Sequence, residues 1–146
     1  MAALTDTEAR FLIVGAYAMA AHGIPRATGD IDIWVEPLPD NARRVWRALV
    51  RFGAPLAAAG VTEGDFAAPG KVYQIGVPPR RIDVMTAIDG VEFAESWRTR
   101  MAGQFGGATV QFIGREALLR NKLAAGRPKD LADVDALRGH RADDDR

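Results

Sequence analysis

The sequence predicts one α/β domain built on a mixed sheet, and three observations carry that expectation. Strand-like segments come in two kinds: the continuous apolar run Phe11-Leu12-Ile13-Val14, and alternating stretches such as Ile31, Ile33 and Val35 set between Asp30, Asp32 and Trp34. Amphipathic helical segments stand between and after them. Their order shows no regular strand–helix–strand repeat, which favours a mixed sheet over a doubly wound parallel one. The chain of 146 residues has the size of one domain. Although 26 of its residues are Ala, the bulkier apolar remainder suffices for one core.

The elements follow in order. Phe11 to Val14 is apolar throughout and stops at Gly15, as a buried strand does. Ala16 to His22 has helical composition and ends at Gly23, with Pro25 just beyond. Residues 31–35 alternate with period 2 until Pro37 and Pro39. From Asn41 to Phe52, Ala42, Val45, Trp46 and Leu49 recur at helical spacing and leave Arg43, Arg44, Arg47 and Arg51 outward. Residues 53–70 are rich in Ala, Gly and Pro and are expected as loop with room for one short helix. Lys71 to Ile75 and Arg80 to Met85 are expected to pair as a hairpin across Gly76-Val77-Pro78-Pro79. Phe93 to Trp97 makes a helical turn and Thr109 to Ile113 a strand. Arg115 to Ala125 and Lys129 to Arg138 are two helices divided by Gly126 and Pro128, residues suited to a helix end and a helix start. One domain over residues 1–140 and a frayed acidic tail over 141–146 are expected.

Composition excludes several classes of function. Nineteen basic and nineteen acidic residues cancel, so no global field recruits nucleic acid or an anionic membrane. With no Cys there is no disulfide framework, thiolate nucleophile or thiolate metal site. Neither a signal peptide nor a membrane-length apolar run is visible, and a soluble, cytoplasmic protein is expected. Oligomeric state is not legible.

The chemistry concentrates in Thr28-Gly29-Asp30-Ile31-Asp32-Ile33. In a strand, residues two apart share a face at ~7 Å, so Asp30 and Asp32 project together while Ile31 and Ile33 enter the core. Paired carboxylates repel unless a cation lies between them, and hard oxygen donors at an open site suit Mg²⁺ with a polyphosphate. The alternative is a solvated sheet face. Asp83, in Arg81-Ile82-Asp83-Val84-Met85, is the acidic member of a second alternating strand that can bring a third carboxylate alongside. Three such groups can bind one or two Mg²⁺ ions and activate an attacking hydroxyl. The competing assignment for Asp83 is an ion pair with Arg80 or Arg81.

Other signals are weaker. Gly15 opens a helix after a strand, where exposed amides can receive a phosphate. The P-loop and dinucleotide patterns are absent, and a phosphatase-type pair of Asp residues would follow a hydrophobic strand rather than Ala27-Thr28-Gly29. Arg98 to Lys129 holds seven basic residues and one acidic, Glu116, a stretch able to wall a triphosphate or nucleic-acid backbone if it gathers in space. His22 is expected at a helix end rather than as ligand or base. Trp34 shares the face of Asp30 and Asp32 and could stack on a base, or simply pack on the sheet.

Phe11-Leu12-Ile13-Val14-Gly15-Ala16-Tyr17-Ala18-Met19-Ala20-Ala21-His22-Gly23, then Arg26-Ala27-Thr28-Gly29-Asp30-Ile31-Asp32, resembles the polymerase-β-like nucleotidyltransferase superfamily. The nearest likeness is to AbiEii-type and related small bacterial nucleotidyltransferase-like proteins. Arg81-Ile82-Asp83-Val84-Met85 and Asn121-Lys122-Leu123-Ala124-Ala125-Gly126-Arg127-Pro128-Lys129-Asp130-Leu131-Ala132-Asp133 extend it, so that it spans residues 10–137. The resemblance implies a mixed sheet with flanking helices and a C-terminal helical pair. It implies Asp30, Asp32 and Asp83 as ligands of Mg²⁺ or Mn²⁺ and as catalytic carboxylates. It assigns Gly15, Ala16, Thr28 and Lys122 to the NTP, with Lys122 on the triphosphate. The superfamily commonly has Gly-Gly or Gly-Ser after the first strand. Here Ala16 and Tyr17 follow Gly15, so the backbone amide is kept and the hydroxyl is not.

The expected function is transfer of a nucleoside monophosphate from an NTP to a hydroxyl acceptor, with pyrophosphate released. RNA, a protein side chain or a small molecule is open as acceptor. A non-catalytic nucleotidyltransferase-like partner in a toxin–antitoxin-type pair is the alternative, and a metal-dependent hydrolase using the same carboxylates is the third.

Overall fold

The computed structural model describes residues 1–77 and 80–144, with side chains for residues 1–77 and 80–140. The elements run α1 (Ala2–Asp6), β1 (Phe11–Val14), α2 (Gly15–Ala21), β2 (Ile31–Val35), α3 (Pro39–Phe52), a 3₁₀ turn (Glu63–Ala67), β3 (Val72–Ile75), β4 (Ile82–Met85), α4 (Phe93–Arg98), β5 (Met101–Phe105), β6 (Ala108–Phe112), α5 (Arg115–Ala125) and α6 (Pro128–Asp144). Six strands form one sheet in the order β3-β4-β2-β1-β6-β5. β1 is antiparallel to β2 and parallel to β6, while β2 is parallel to β4. The sheet is therefore mixed, as the irregular element order implied. Among the described residues no helix is long and apolar enough to cross a membrane.

Register decides what each face of the sheet carries. Leu12 lies opposite Trp34, Val14 opposite Asp32, and Asp32 opposite Asp83. These residues share one face by the period-2 pleat. Ile13, Ile33 and Val84 are register partners on the other face and are nearly inaccessible. That second face is covered by α3, whose Val45 and Leu49 are buried, and by Phe66, which sits between Trp46 and Tyr73 at ring distances of 6.5 and 6.3 Å. The first face is covered near its middle by α4, where Phe93 meets Trp34 edge-on at 5.0 Å. Core packing thus takes the middle of the sheet, and the carboxylates stand at one end of the first face.

The expected strands and helices form, with three differences. α1 and β5 were not anticipated. α1 is a single turn carrying one buried residue, Leu4, too short to show a period. β5 contains Gly103, which lowers its strand signal; a Cβ there would stand 2.7 Å from the Phe112 ring, so the glycine admits a close ring contact in the β5–β6 hairpin. α6 continues through Gly139 to Asp144, beyond the expected end at Arg138. Of the expected tail, residues 145 and 146 lie outside the described residues, as do Pro78 and Pro79 of the β3–β4 connection. Gly126 has φ +64 and ends α5, and Pro128 begins α6, the roles their chemistry favours.

Candidate active site

One cavity of about 730 Å³ opens at the end of the sheet where β1 ends and β2 and β4 begin, and Gly15, Ala16, Thr28, Asp30, Asp32, Asp83 and Lys122 all line it. Its volume is that of a small-molecule site. β1 delivers Gly15 as its next residue, with φ +67. A Cβ on Gly15 would lie 2.2 Å from Asp32 Oδ2, so only glycine allows the carboxylate to approach the backbone so closely. Asp30 precedes β2 and is set from both sides. Its N–H donates to Thr28 Oγ1 at 3.1 Å, and its Oδ1 accepts the Arg81 N–H at 3.1 Å. Asp32 and Asp83 sit side by side across the parallel β2–β4 pair.

The electrostatics of this cluster are those of crowded anions. Burial first, and then the charge of Asp83, hold the Asp32 carboxyl above its ordinary range; Asp30 adds to the rise, while Arg81 and Lys122 oppose it. Asp83 is 7% exposed, and its Oδ1 makes no hydrogen bond. Arg81 Nε lies 3.0 Å from that oxygen, but its N–H is not aimed at it, so the contact is charge without a hydrogen bond. A second nitrogen of Arg81 stands 3.7 Å from Asp30 Oδ2. The Arg81–Asp83 pairing weighed from sequence is therefore formed, yet Asp83 still faces the cavity. An orphaned buried carboxylate oxygen beside a second crowded carboxylate fits a hard divalent cation. Among the described residues, however, no three carboxylates or imidazoles are gathered closely enough to hold an ion as they stand. Arg81 is interposed.

Lys122 lines the cavity but is already engaged. Its Nζ lies 3.1 Å from Asp133 Oδ2 and 3.4 Å from Asp130 Oδ1. Asp130 is fully buried and accepts Arg127 Nε at 2.6 Å; Asp133 accepts Arg26 at 2.5 Å. Burial alone would raise both carboxyls. For Asp130 the hydrogen bonds and charge of Arg127 with Lys122 outweigh it, and for Asp133 those of Arg26 and Lys122 do, so both are held below the ordinary range. Asp130 thereby has a structural role: it ties α5 to the start of α6. Asp133 and Arg26 join this tie to the loop that leads into Asp30.

Several expectations are redrawn by the structure. Trp34 is 1% exposed and packed on Phe93, so it is not available to stack on a base. The basic stretch from Arg98 to Lys129 does not form one wall. Arg100 lies over the Trp97 ring at 4.1 Å, Arg120 faces Glu95 at 4.0 Å, and Arg115 donates to the Leu137 carbonyl. Only Lys122, Arg127 and Lys129 of that stretch line the cavity, and Arg26 and Arg81 join them from elsewhere. Arg26 carries no signal of its own in the sequence, because its partner Asp133 lies 107 positions away. His22 caps α2 and donates through Nε2 to the Ile113 carbonyl at 2.8 Å, as a helix-end residue. Asn41, in no expected role, is buried and bridges the backbone of Arg10 and Glu36.

No protein-family model and no curated protein matches this chain. Among solved structures, it is similar to a Thermotoga maritima protein provisionally described as a nucleotidyltransferase. The TM-score is 0.58 at 13% identity, over 96% of this chain and 89% of that one. At that identity the likeness speaks to fold, and it agrees with the six-stranded mixed sheet and its flanking helices. The chain has a nucleotidyltransferase-like fold.

Proposed function

We propose that this chain is a Mg²⁺- or Mn²⁺-dependent nucleotidyltransferase that moves a nucleoside monophosphate from an NTP to a hydroxyl acceptor and releases pyrophosphate. The observation that carries this is the meeting of Asp30 and Asp32 with Asp83, some fifty residues further along the chain, in one cavity that also holds a cation, Lys129, unpaired among the described residues. Asp30, Asp32 and Asp83 would hold the cation, which when bound supplies charge neutralisation on the triphosphate and acidifies a coordinated hydroxyl. Asp83, whose buried Oδ1 is paired with Arg81 by charge but accepts no hydrogen bond, is the group assigned to take the proton of the acceptor hydroxyl. Lys129 has no ion pair or hydrogen bond among the described residues and lines the same cavity, so it is the cation with most to gain from a triphosphate. Lys122 adds charge from a fixed position, held by two carboxylates. Gly15, Ala16 and Thr28 border the nucleotide. Phosphoryl-type transfer asks chiefly for positioning and charge, and a preorganised cavity supplies both. The nearer likeness to AbiEii-type proteins rests on the sequence blocks alone.

One observation favours a second reading. Arg81 itself supplies counter-charge to Asp30 and Asp83, so the acid cluster is also compatible with a non-catalytic partner of a toxin–antitoxin-type pair. The test is a panel of α-labelled NTPs with Mg²⁺ and cellular RNA and protein. Label in RNA, protein or a small molecule together with pyrophosphate identifies the transferase and its acceptor class. Nucleotide binding with no product favours the non-catalytic reading. Phosphate release or strand cleavage identifies a hydrolase.

A further inference from the structure

Arg81 is a cation set among the acids of the site. Asp30 and Arg81 each stand one residue before a strand, and the register of β2 against β4 sets Ile31 beside Ile82 and Asp32 beside Asp83. The pleat therefore gathers four charged side chains on one face in a two-by-two array: Asp30 beside Arg81, and Asp32 beside Asp83. The backbone locks the array. The Ile31 N–H donates to the Arg81 carbonyl at 2.9 Å, and the Arg81 N–H donates to Asp30 Oδ1 at 3.1 Å. The guanidinium then spans two of the three acids, 3.7 Å from Asp30 and 3.0 Å from Asp83. Yet Arg81 Nε and Asp83 Oδ1 are both buried without a hydrogen bond. A guanidinium is built for aligned, bidentate hydrogen bonds to a carboxylate, and this one forgoes them.

We propose that Arg81 is an internal counter-ion that holds the carboxylates together in the metal-free protein and must leave them when a divalent cation binds. The inference rests on the metal-dependent reading above. A singly charged, imperfectly hydrogen-bonded group holds less strongly than a doubly charged ion with direct oxygen ligands, so the exchange is downhill only once the ion is present. Its consequence is a metal affinity set lower than three carboxylates alone would give.

The experiment is calorimetric titration of Mn²⁺, without nucleotide, into wild type, Arg81→Met, Arg81→Lys and Lys129→Met, with thermal melts in chelator. Arg81→Met should bind Mn²⁺ on the order of tenfold more tightly than wild type, the scale of one charge-assisted contact no longer to be broken. In chelator it should melt below wild type, because the acids lose their counter-ion. Arg81→Lys keeps the charge, secures a folded protein should the Met variant not fold, and should fall between the two in Mn²⁺ affinity. Lys129→Met removes a cavity charge that touches no carboxylate and should change Mn²⁺ affinity less than about twofold. Wild-type or weaker Mn²⁺ binding by both Arg81 variants overturns the counter-ion role while leaving the metal site standing. An equal gain in Lys129→Met overturns it too, since the effect would then be a general field. If neither wild type nor Arg81→Met binds millimolar Mn²⁺, the metal-dependent reading fails along with this one.

Discussion

At the scale of single residues, the site is governed by how little room its charges have. Gly15 is the clearest case, since its positive φ and the 2.2 Å approach of Asp32 to a would-be Cβ both disfavour any other residue. Gly15→Ala should therefore destabilise the fold by about 1–3 kcal/mol, the usual cost of a strained backbone position, and chemical denaturation would measure it. Asp32 shows the electrostatic side. Its proton affinity is raised by burial and by Asp83, so at neutral pH its ionised form costs stability. Asp32→Asn should melt above wild type in chelator at pH 7. The gap should narrow once pH falls through the raised folded value, where the folded wild type takes up its proton, and close by the ordinary carboxyl value of 3.8, where the unfolded chain does too. A variant that melts lower at pH 7 would show that Asp32 is held by attraction instead.

At the scale of elements, the pairing of α5 with α6 depends on one buried ionic network. Lys122→Ala would strand Asp130 and Asp133, both held mainly out of solvent. Breaking a buried pair from one side costs about 3–5 kcal/mol, and here the low end applies because Arg127 and Arg26 still hold the two acids. Lys122→Ala is thus expected to loosen the α5–α6 junction as well as the cavity, a loss that hydrogen exchange on those helices would locate. The pH sign is opposite to that of Asp32. Asp130 and Asp133 have lowered values, so their stabilisation is present above 3.8 and is lost as pH falls through their folded values. Acid melts of wild type should weaken there, and Lys122→Ala should show a shallower dependence.

For the whole molecule, the cavity joins the first face of the sheet, the α2 start, the loop before β2, and α5 with α6. A ligand that binds there binds only the assembled fold and stabilises it by mass action, about 2.7 kcal/mol at a hundredfold excess over its Kd. An NTP with Mg²⁺ should accordingly raise the melting temperature by several degrees. Lys129→Ala should need a higher NTP concentration for the same rise, with its own ligand-free melting temperature unchanged, because the side chain touches no partner among the described residues. An unchanged NTP response would remove Lys129 from the triphosphate.

What the amino-acid order determined by itself was local: apolar runs and period-2 alternation marked β1, β2 and β4, helical spacing marked α3, and Gly126 with Pro128 divided α5 from α6. The face shared by Asp30 and Asp32 was legible for the same reason, since a pleat is a property of neighbours two apart. Short or glycine-bearing elements such as α1 and β5 carried too few residues to show a period. Only the tertiary structure decided that Asp83 meets Asp32, that Arg81 lies among the acids, that Lys122 is gripped by Asp130 and Asp133, and that Trp34 belongs to the core. Each of these depends on which strands become neighbours or which helix closes over the sheet. Such contacts join residues far apart in the chain, and local periodicity holds no record of them.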